Sequence, residues 1–158
     1  MRRFIYDFFF SYSHKVITLY SRGHYFSKLP SPLCYIREFY RNKIAFKFGC
    51  YISPKALISK DIKFPHPVGI IIGDGVEIGT GCTIYQGVTL GAGRKGEGKL
   101  NKYPTIGRNV IIYSGAVIIG DVKVGDNSVI GANSVVIKNV PENSVAVGVP
   151  SRVITKNE

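Results

Sequence analysis

The sequence predicts an all-β solenoid, a parallel β-helix of hexapeptide repeats that follows a short helical region. Three observations predict it. An aliphatic residue returns every six positions, at Ile72, Ile78, Ile84 and Leu90 and again at Ile106, Ile112, Ile118, Val124, Ile130 and Val136. Four residues after each of these, Leu90 at the start of the interruption excepted, stands a small or branched one, from Val76, Cys82 and Val88 through Val110, Ala116 and Val122 to Ser128, Ser134 and Val140, sizes that fit an inward corner. A single polar, Gly-rich stretch separates the two halves of the pattern. The period is neither the 2 of a half-buried strand nor the 3.6 of an amphipathic helix. Six-residue sides instead build a triangular coil, about 18 residues per rung. Each rung buries only its own narrow interior, so the lateral faces are expected to pack on copies of the same chain, as a homotrimer about a threefold axis. Gly follows many of the aliphatic positions (Gly73, Gly79, Gly91, Gly107, Gly125, Gly131), where a tight turn would favour a residue without Cβ.

The first element in chain order is the segment 1–50, which lacks the hexapeptide pattern. Its aromatic and aliphatic residues fall at mixed helical spacing, broken by Gly23, Pro30 and Pro32, and predict two helices, roughly Arg3 to Tyr20 and Leu33 to Phe46. The net charge of +11 concentrates here, with nine Lys or Arg up to Cys50 against Asp7 and Glu38. Aromatic side chains alternate with these cations. Such a segment suits a cap on the open solenoid end, peripheral attachment to an anionic bilayer, or contact with an acidic polymer. The charges follow no nucleic-acid-binding motif, so no nucleic-acid partner is expected. Cys34, Cys50 and Cys82 have no metal-ligand spacing and read as free thiols in a reducing cytoplasm. The start resembles an export signal, but Asp7 interrupts its apolar run and no small-residue cleavage site follows. No stretch reaches the roughly 20 apolar residues of a membrane span. The expected location is the cytoplasm, with the inner face of the cytoplasmic membrane as a place for peripheral contact.

The solenoid occupies 51–158. It starts near Ile52, and Ile58 and Phe64 follow at six-residue intervals. Eight residues then separate Phe64 from Ile72, so this side carries two extra residues that must bulge outward, and His66 sits in the bulge between Pro65 and Pro67. The polar stretch 92–105 is an extruded loop. Stacking by rungs of 18 places the segment from Ile84 over the segment from Phe64, which predicts that His66, Gln86 and the base of the loop approach one another.

Among three histidines, His66 alone lies in the solenoid. Its unperturbed pKa near 6.5 suits a general base at neutral pH, taking a proton from a hydroxyl that attacks a thioester. Backbone N–H groups of Gly91, Ala92 and Gly93 are candidate donors to the oxyanion. A metal centre of three histidines per site, as in solenoid carbonic anhydrases, is excluded by the count, and no metal is expected.

The run from Tyr51 to Val153, with His66-Pro-Val-Gly-Ile-Ile-Ile-Gly, Gln86-Gly-Val-Thr-Leu-Gly and Val147-Gly-Val-Pro-Ser-Arg, resembles the hexapeptide-repeat acyltransferases of the serine acetyltransferase type. The resemblance covers about two thirds of the chain. It implies a left-handed β-helix, a trimer, acetyl-CoA as donor, and a site between subunits with His66 as base. It also implies that pantetheine runs beside Ala92, Ser114 and Ala132, with Lys138 and Arg152 near the phosphates of the adenine end.

Departures from that pattern bear on the acceptor. Where serine acetyltransferases have an Asp before the catalytic His, this chain has Pro65; where a second Asp stands fifteen residues earlier, it has Tyr51; and an Arg-His before Pro becomes Lys102-Tyr103 before Pro104. An amino-acid ammonium loses its carboxylate partners. The short aromatic and basic N-terminus is similar to that of O-acetyltransferases of surface polysaccharide assembly, which act on capsule, exopolysaccharide or O-antigen. Tyr51, Gln86, Lys102 and Tyr103 are then the candidate acceptor contacts, with Tyr85, Tyr103 and Tyr113 as stacking platforms. A glycan acceptor is the leading expectation. A divergent serine O-acetyltransferase is the alternative, and a non-catalytic scaffold that binds membrane or polyanion is the alternative of another class.

Overall fold

The computed structural model describes residues 11–93, 100 and 102–155. Two helices precede the solenoid. The first, Tyr12–Ser27, starts at Ser11, whose hydroxyl accepts from the His14 N–H at 3.4 Å. It runs seven residues past the Tyr20 end that the sequence predicts, straight through Gly23. Gly23 is there for packing: a Cβ on it would lie 3.2 Å from that of Tyr40 on the second helix, so hydrogen in its place lets the two helices close. The predicted start at Arg3 lies outside the described residues. The second helix, Ile36–Phe48, follows a 3-10 turn at Leu33–Tyr35, and Gly49 ends it in the left-handed conformation at φ 62°.

The helices cap the first coil through polar anchors as well as apolar packing. Buried Tyr20 donates from its hydroxyl to the Ala56 carbonyl at 2.6 Å and accepts from the Ile58 N–H at 3.1 Å. The Ser13 hydroxyl accepts from the Phe64 N–H at 2.9 Å, and His24 Nδ1 donates to the Pro54 carbonyl at 2.8 Å. The open end of the coil thus has its strand-edge donors and acceptors met from above.

Three parallel faces form the solenoid. Face A stacks β1 (Tyr51–Ile52), β3 (Ile71–Ile72), β6 (Thr89–Gly91), β9 (Val117–Ile119) and β12 (Val135–Val136). Face B stacks β2 (Leu57–Ile58), β4 (Glu77–Ile78), β7 (Thr105–Ile106) and β10 (Lys123–Val124). Face C stacks β5 (Thr83–Ile84), β8 (Ile111–Ile112), β11 (Val129–Ile130) and β13 (Ser144–Val147), and β14 (Arg152–Thr155) turns back antiparallel on β13.

Register turns the repeat count into geometry. Tyr51 faces Ile71, Ile71 faces Thr89, Thr89 faces Val117 and Val117 faces Val135. The 18-residue rung is therefore stretched by two in the coil that holds His66 and by ten in the coil that holds the loop, while the last coil shortens to 16, with Val129 facing Val145. Both sequence registers point inward: every aliphatic position from Ile72 to Val136 and every small position from Val76 to Val140 is buried. The two serines among them are satisfied, Ser128 by donating to the Pro141 carbonyl at 2.7 Å and Ser134 by accepting from the Gly148 N–H at 3.1 Å.

Four of the glycines after the aliphatic residues, Gly79, Gly107, Gly125 and Gly131, have another cause than the turns proposed for them, whereas a Cβ on Gly91 would meet nothing. Gly79 has no positive φ, but a Cβ on it would stand 2.7 Å from the Gly107 carbonyl of the next coil. Close stacking of rungs, not backbone conformation, excludes a side chain there.

Candidate active site

The corner between faces C and A carries the bulge. Lys63 pairs with Thr83, so by register Pro65 lies over Tyr85 and His66 over Gln86. The two extra residues are then absorbed before Gly69, which stacks on Gly87. Backbone bonds hold the bulge on both sides: Gly69 donates to the Gly49 carbonyl at 3.0 Å, and Gly87 donates to the Val68 carbonyl at 2.9 Å. Gly69 and Gly87 both adopt φ near 70°, a conformation that an L side chain disfavours. Pro67 is buried and His66 is exposed, so the loop is anchored and its imidazole is presented.

His66 borders a groove of about 460 Å³ lined by Pro65, Pro67 and Val68 on one side and by Tyr12, Lys47, Phe48 and Gly49 of the helical cap on the other. The cap's share of this groove is not legible from motif reading. Register offers the missing signal, since Gly49 stands one 20-residue rung before Gly69 and therefore beside the bulge. Among the described residues the His66 side chain makes no hydrogen bond or ion pair. Tyr51, a candidate acceptor contact, is engaged by the cap: Arg41 lies 5.3 Å from its ring centre and donates to its hydroxyl at 3.4 Å.

Below His66 a column runs down the same corner, exposed at Gln86 and Ala132 and half-buried at Ser114. Gly115 donates to the Gln86 carbonyl at 3.0 Å and Asn133 to the Ser114 carbonyl at 2.9 Å, which stacks Gln86, Ser114 and Ala132 in successive coils. Beside them the rings of Tyr85 and Tyr113 lie parallel, 5.2 Å apart at 17°. The structure thus brings together His66, Gln86, Ser114, Ala132, Tyr85 and Tyr113.

The remaining candidates stand elsewhere. Gly91, Ala92 and Gly93 leave the other end of β6, at the corner between faces A and B, and the loop returns to that same corner. There the Tyr103 ring packs on Gly73, 2.8 Å from where a Cβ would be. Crossing face A from Gly69 to Gly73 takes four residues, roughly 13 Å. Within one chain, then, the base of the loop does not approach His66, and Ala92 does not share a column with Ser114 and Ala132, because a loop that leaves after β6 has already passed the His66 corner. Lys102 lies beside Tyr103 on the far corner. Lys138 follows β12 at that far corner too, whereas Ser151 donates to the Val135 carbonyl at 2.8 Å and so places Arg152 at the near one. The two cations do not converge in one chain.

Among the described residues no group of three His, Cys, Asp or Glu is placed to hold a metal ion. No helix among them is long and apolar enough to cross a membrane.

Residues 103–138 match the family model for the bacterial transferase hexapeptide (six repeats). The chain is 44% identical over 110 residues to a serine acetyltransferase of Mycobacterium tuberculosis (strain ATCC 25618 / H37Rv), which covers 70% of this chain and 47% of that protein. It is 44% identical over 112 residues to one of Staphylococcus aureus (strain Mu50 / ATCC 700699), covering 71% and 52%. Similar solved structures include a serine acetyltransferase in complex with CoA (TM-score 0.82, 33% identity, 94% of this chain and 60% of that one). A soybean serine acetyltransferase complexed with serine is also similar (TM-score 0.85, 31% identity, 94% and 60%). The chain spans about half the length of the curated relatives it matches. With the strand topology, these likenesses assign the solenoid as a left-handed parallel β-helix.

Proposed function

We propose that this chain is an acetyl-CoA-dependent O-acetyltransferase with His66 as general base. The observation that carries the reading is the eight-residue side, an interruption of the repeat that presents one imidazole over a groove of about 460 Å³. It occurs on a scaffold similar to serine acetyltransferases, one of them in complex with CoA. His66 takes the proton of the acceptor hydroxyl as its oxygen bonds to the thioester carbonyl carbon. The tetrahedral intermediate collapses with cleavage of the carbon–sulfur bond, and the imidazolium returns its proton to the CoA thiolate. The Gly91 to Gly93 backbone would stabilise the oxyanion, and Ser114 and Ala132 would flank the pantetheine arm.

One chain holds these parts at two corners of face A. A homotrimer would place the near corner of one copy against the far corner of the next and so complete the site. Face A offers the apolar surface for such a contact, with Ile71 46% exposed above Thr89, Val117 and Val135.

The acceptor follows the relatives first. Similarity to serine acetyltransferases, including one complexed with serine, favours L-serine over the glycan that the sequence motifs suggest. A sugar hydroxyl is the second reading, favoured by the stacked Tyr85 and Tyr113 rings beside the His66 column and by Pro65 and Tyr51 where carboxylates would bind an ammonium. The test is release of free thiol from acetyl-CoA, with separate panels of L-serine, nucleotide sugars and de-O-acetylated bacterial polysaccharides. Release with serine alone supports the first reading, and release with a glycan alone the second. No release with any hydroxyl acceptor overturns the function.

A further inference from the structure

We infer that the helical cap carries a docking surface for an anionic lipid bilayer, beside the mouth of the His66 groove. The surface is built from both helices. Phe46 is 92% exposed and Phe39 61%, both on the second helix, and with Lys43 and Lys47 they line an open groove of about 590 Å³. Lys43 and Lys47 also line the adjoining hollow, where Lys15 of the first helix joins them. Lysines here lie on rings: Lys43 Nζ is 5.7 Å from the Phe39 ring centre and Lys15 Nζ 5.8 Å from that of Tyr12. Among the described residues no acid lines either hollow. Glu38, the one acid between residues 11 and 50, is taken by Arg37 and Arg41.

Charge chooses among occupants. A second copy placed symmetrically on this face would set its own lysines against these ones, at a cost that no acid among the described residues of the face compensates. A soluble polyanion satisfies the lysines but leaves Phe46 in water. An anionic bilayer meets both needs, because the headgroup region takes the cations while a ring as exposed as Phe46 enters the acyl boundary. Since Lys47 lines the His66 groove as well, that groove would open at the membrane surface. The inference concerns the cap and holds for either acceptor.

The test is co-sedimentation of the full chain with vesicles of phosphatidylcholine alone and with 30% phosphatidylglycerol, compared with capture on heparin. Variants are Phe46→Ser and the double charge reversal Lys15→Glu with Lys43→Glu, each checked by far-UV circular dichroism and by sedimentation velocity. We expect binding to the anionic vesicles only, with each variant weakening it about fivefold or more, since one lysine at an anionic surface contributes a factor of about five. Equal binding to both vesicle types, no binding, or unchanged binding by folded variants overturns the inference. Retention of Phe46→Ser on heparin at wild-type strength, with vesicle binding no stronger than heparin binding, assigns the face to a polyanion and also overturns it. Loss of an oligomer in Phe46→Ser assigns it to a second copy, with the same consequence.

Discussion

Replacing Tyr20 by Phe removes one oxygen and two hydrogen bonds from the joint between cap and solenoid. The hydroxyl donates to the Ala56 carbonyl at 2.6 Å and accepts from the Ile58 N–H at 3.1 Å, and Tyr20 is 4% exposed. Phe keeps the ring and leaves a buried acceptor and a partly buried donor without partners, a loss of about 2–3 kcal/mol. Titration gives an independent handle on the same group. Burial pushes the phenol up to about 12 and outweighs the Ile58 N–H, which acts to lower it. Below pH 10 both folded and unfolded chains keep the proton, and the full contribution is present. Between pH 10 and 12 the unfolded chain loses the proton first, so stability falls as pH rises through that window, by about 2.7 kcal/mol in all for a shift of this size. The Tyr20→Phe variant has nothing to titrate at this position. In urea unfolding followed at 222 nm, where the helices report, wild type should exceed Tyr20→Phe by about 2–3 kcal/mol at pH 8, and the gap should close toward zero by pH 12. A gap that is the same at pH 8 and pH 11.5, or absent at pH 8, would refute the assignment of this hydroxyl as the joint.

Other perturbations test other parts of the structure. Gly49→Ala and Gly81→Ala both place a side chain at positive φ, but Gly49 faces open space while a Cβ on Gly81 meets the Asn109 side-chain oxygen. The first should cost about 1 kcal/mol and the second clearly more, read from urea midpoints. Ile118→Ala, at a fully buried rung position, should cost about 2–5 kcal/mol in the same assay, and a loss under 1 would show that the coil interior collapses to fill the gap. Burial pushes the Cys50 and Cys82 thiols up, so in native protein at pH 8 Cys34 should react with a thiol reagent well before either, whereas denaturant should expose all three together. If the site is completed between copies, inactive His66→Ala and inactive Tyr103→Ala chains, refolded together, should regain part of the activity; a mixture no better than its parts counts against a shared site.

The coil interior was legible because its constraint is one-dimensional. A residue such as Ile112 touches the same face of the rung above and below, so burial repeats with the chain and periodicity alone finds it. The bulge was legible for the same reason, as a departure from that count. What failed depends on which corner a residue occupies. Counting placed Ile84 over Phe64 correctly, but a loop that begins after Leu90 leaves one corner later than His66, and only the strand register shows that Gly91 and Tyr103 belong to the far side. Gly23 read as a helix break because composition cannot show that Tyr40 needs the space of its missing side chain. The share of Tyr12 and Lys47 in the His66 groove came from the docking of the cap, a contact of high sequence separation with no local pattern.

Acyl transfer by His66 is the central claim, and the thiol released from acetyl-CoA in the presence of an accepted hydroxyl measures it directly. Wild type and His66→Ala should show the same circular dichroism and the same sedimentation, because the imidazole is exposed and makes no hydrogen bond among the described residues. The account predicts acceptor-dependent thiol release by wild type that falls by about 10²-fold or more in the variant. A folded His66→Ala protein that releases thiol at the wild-type rate would contradict it.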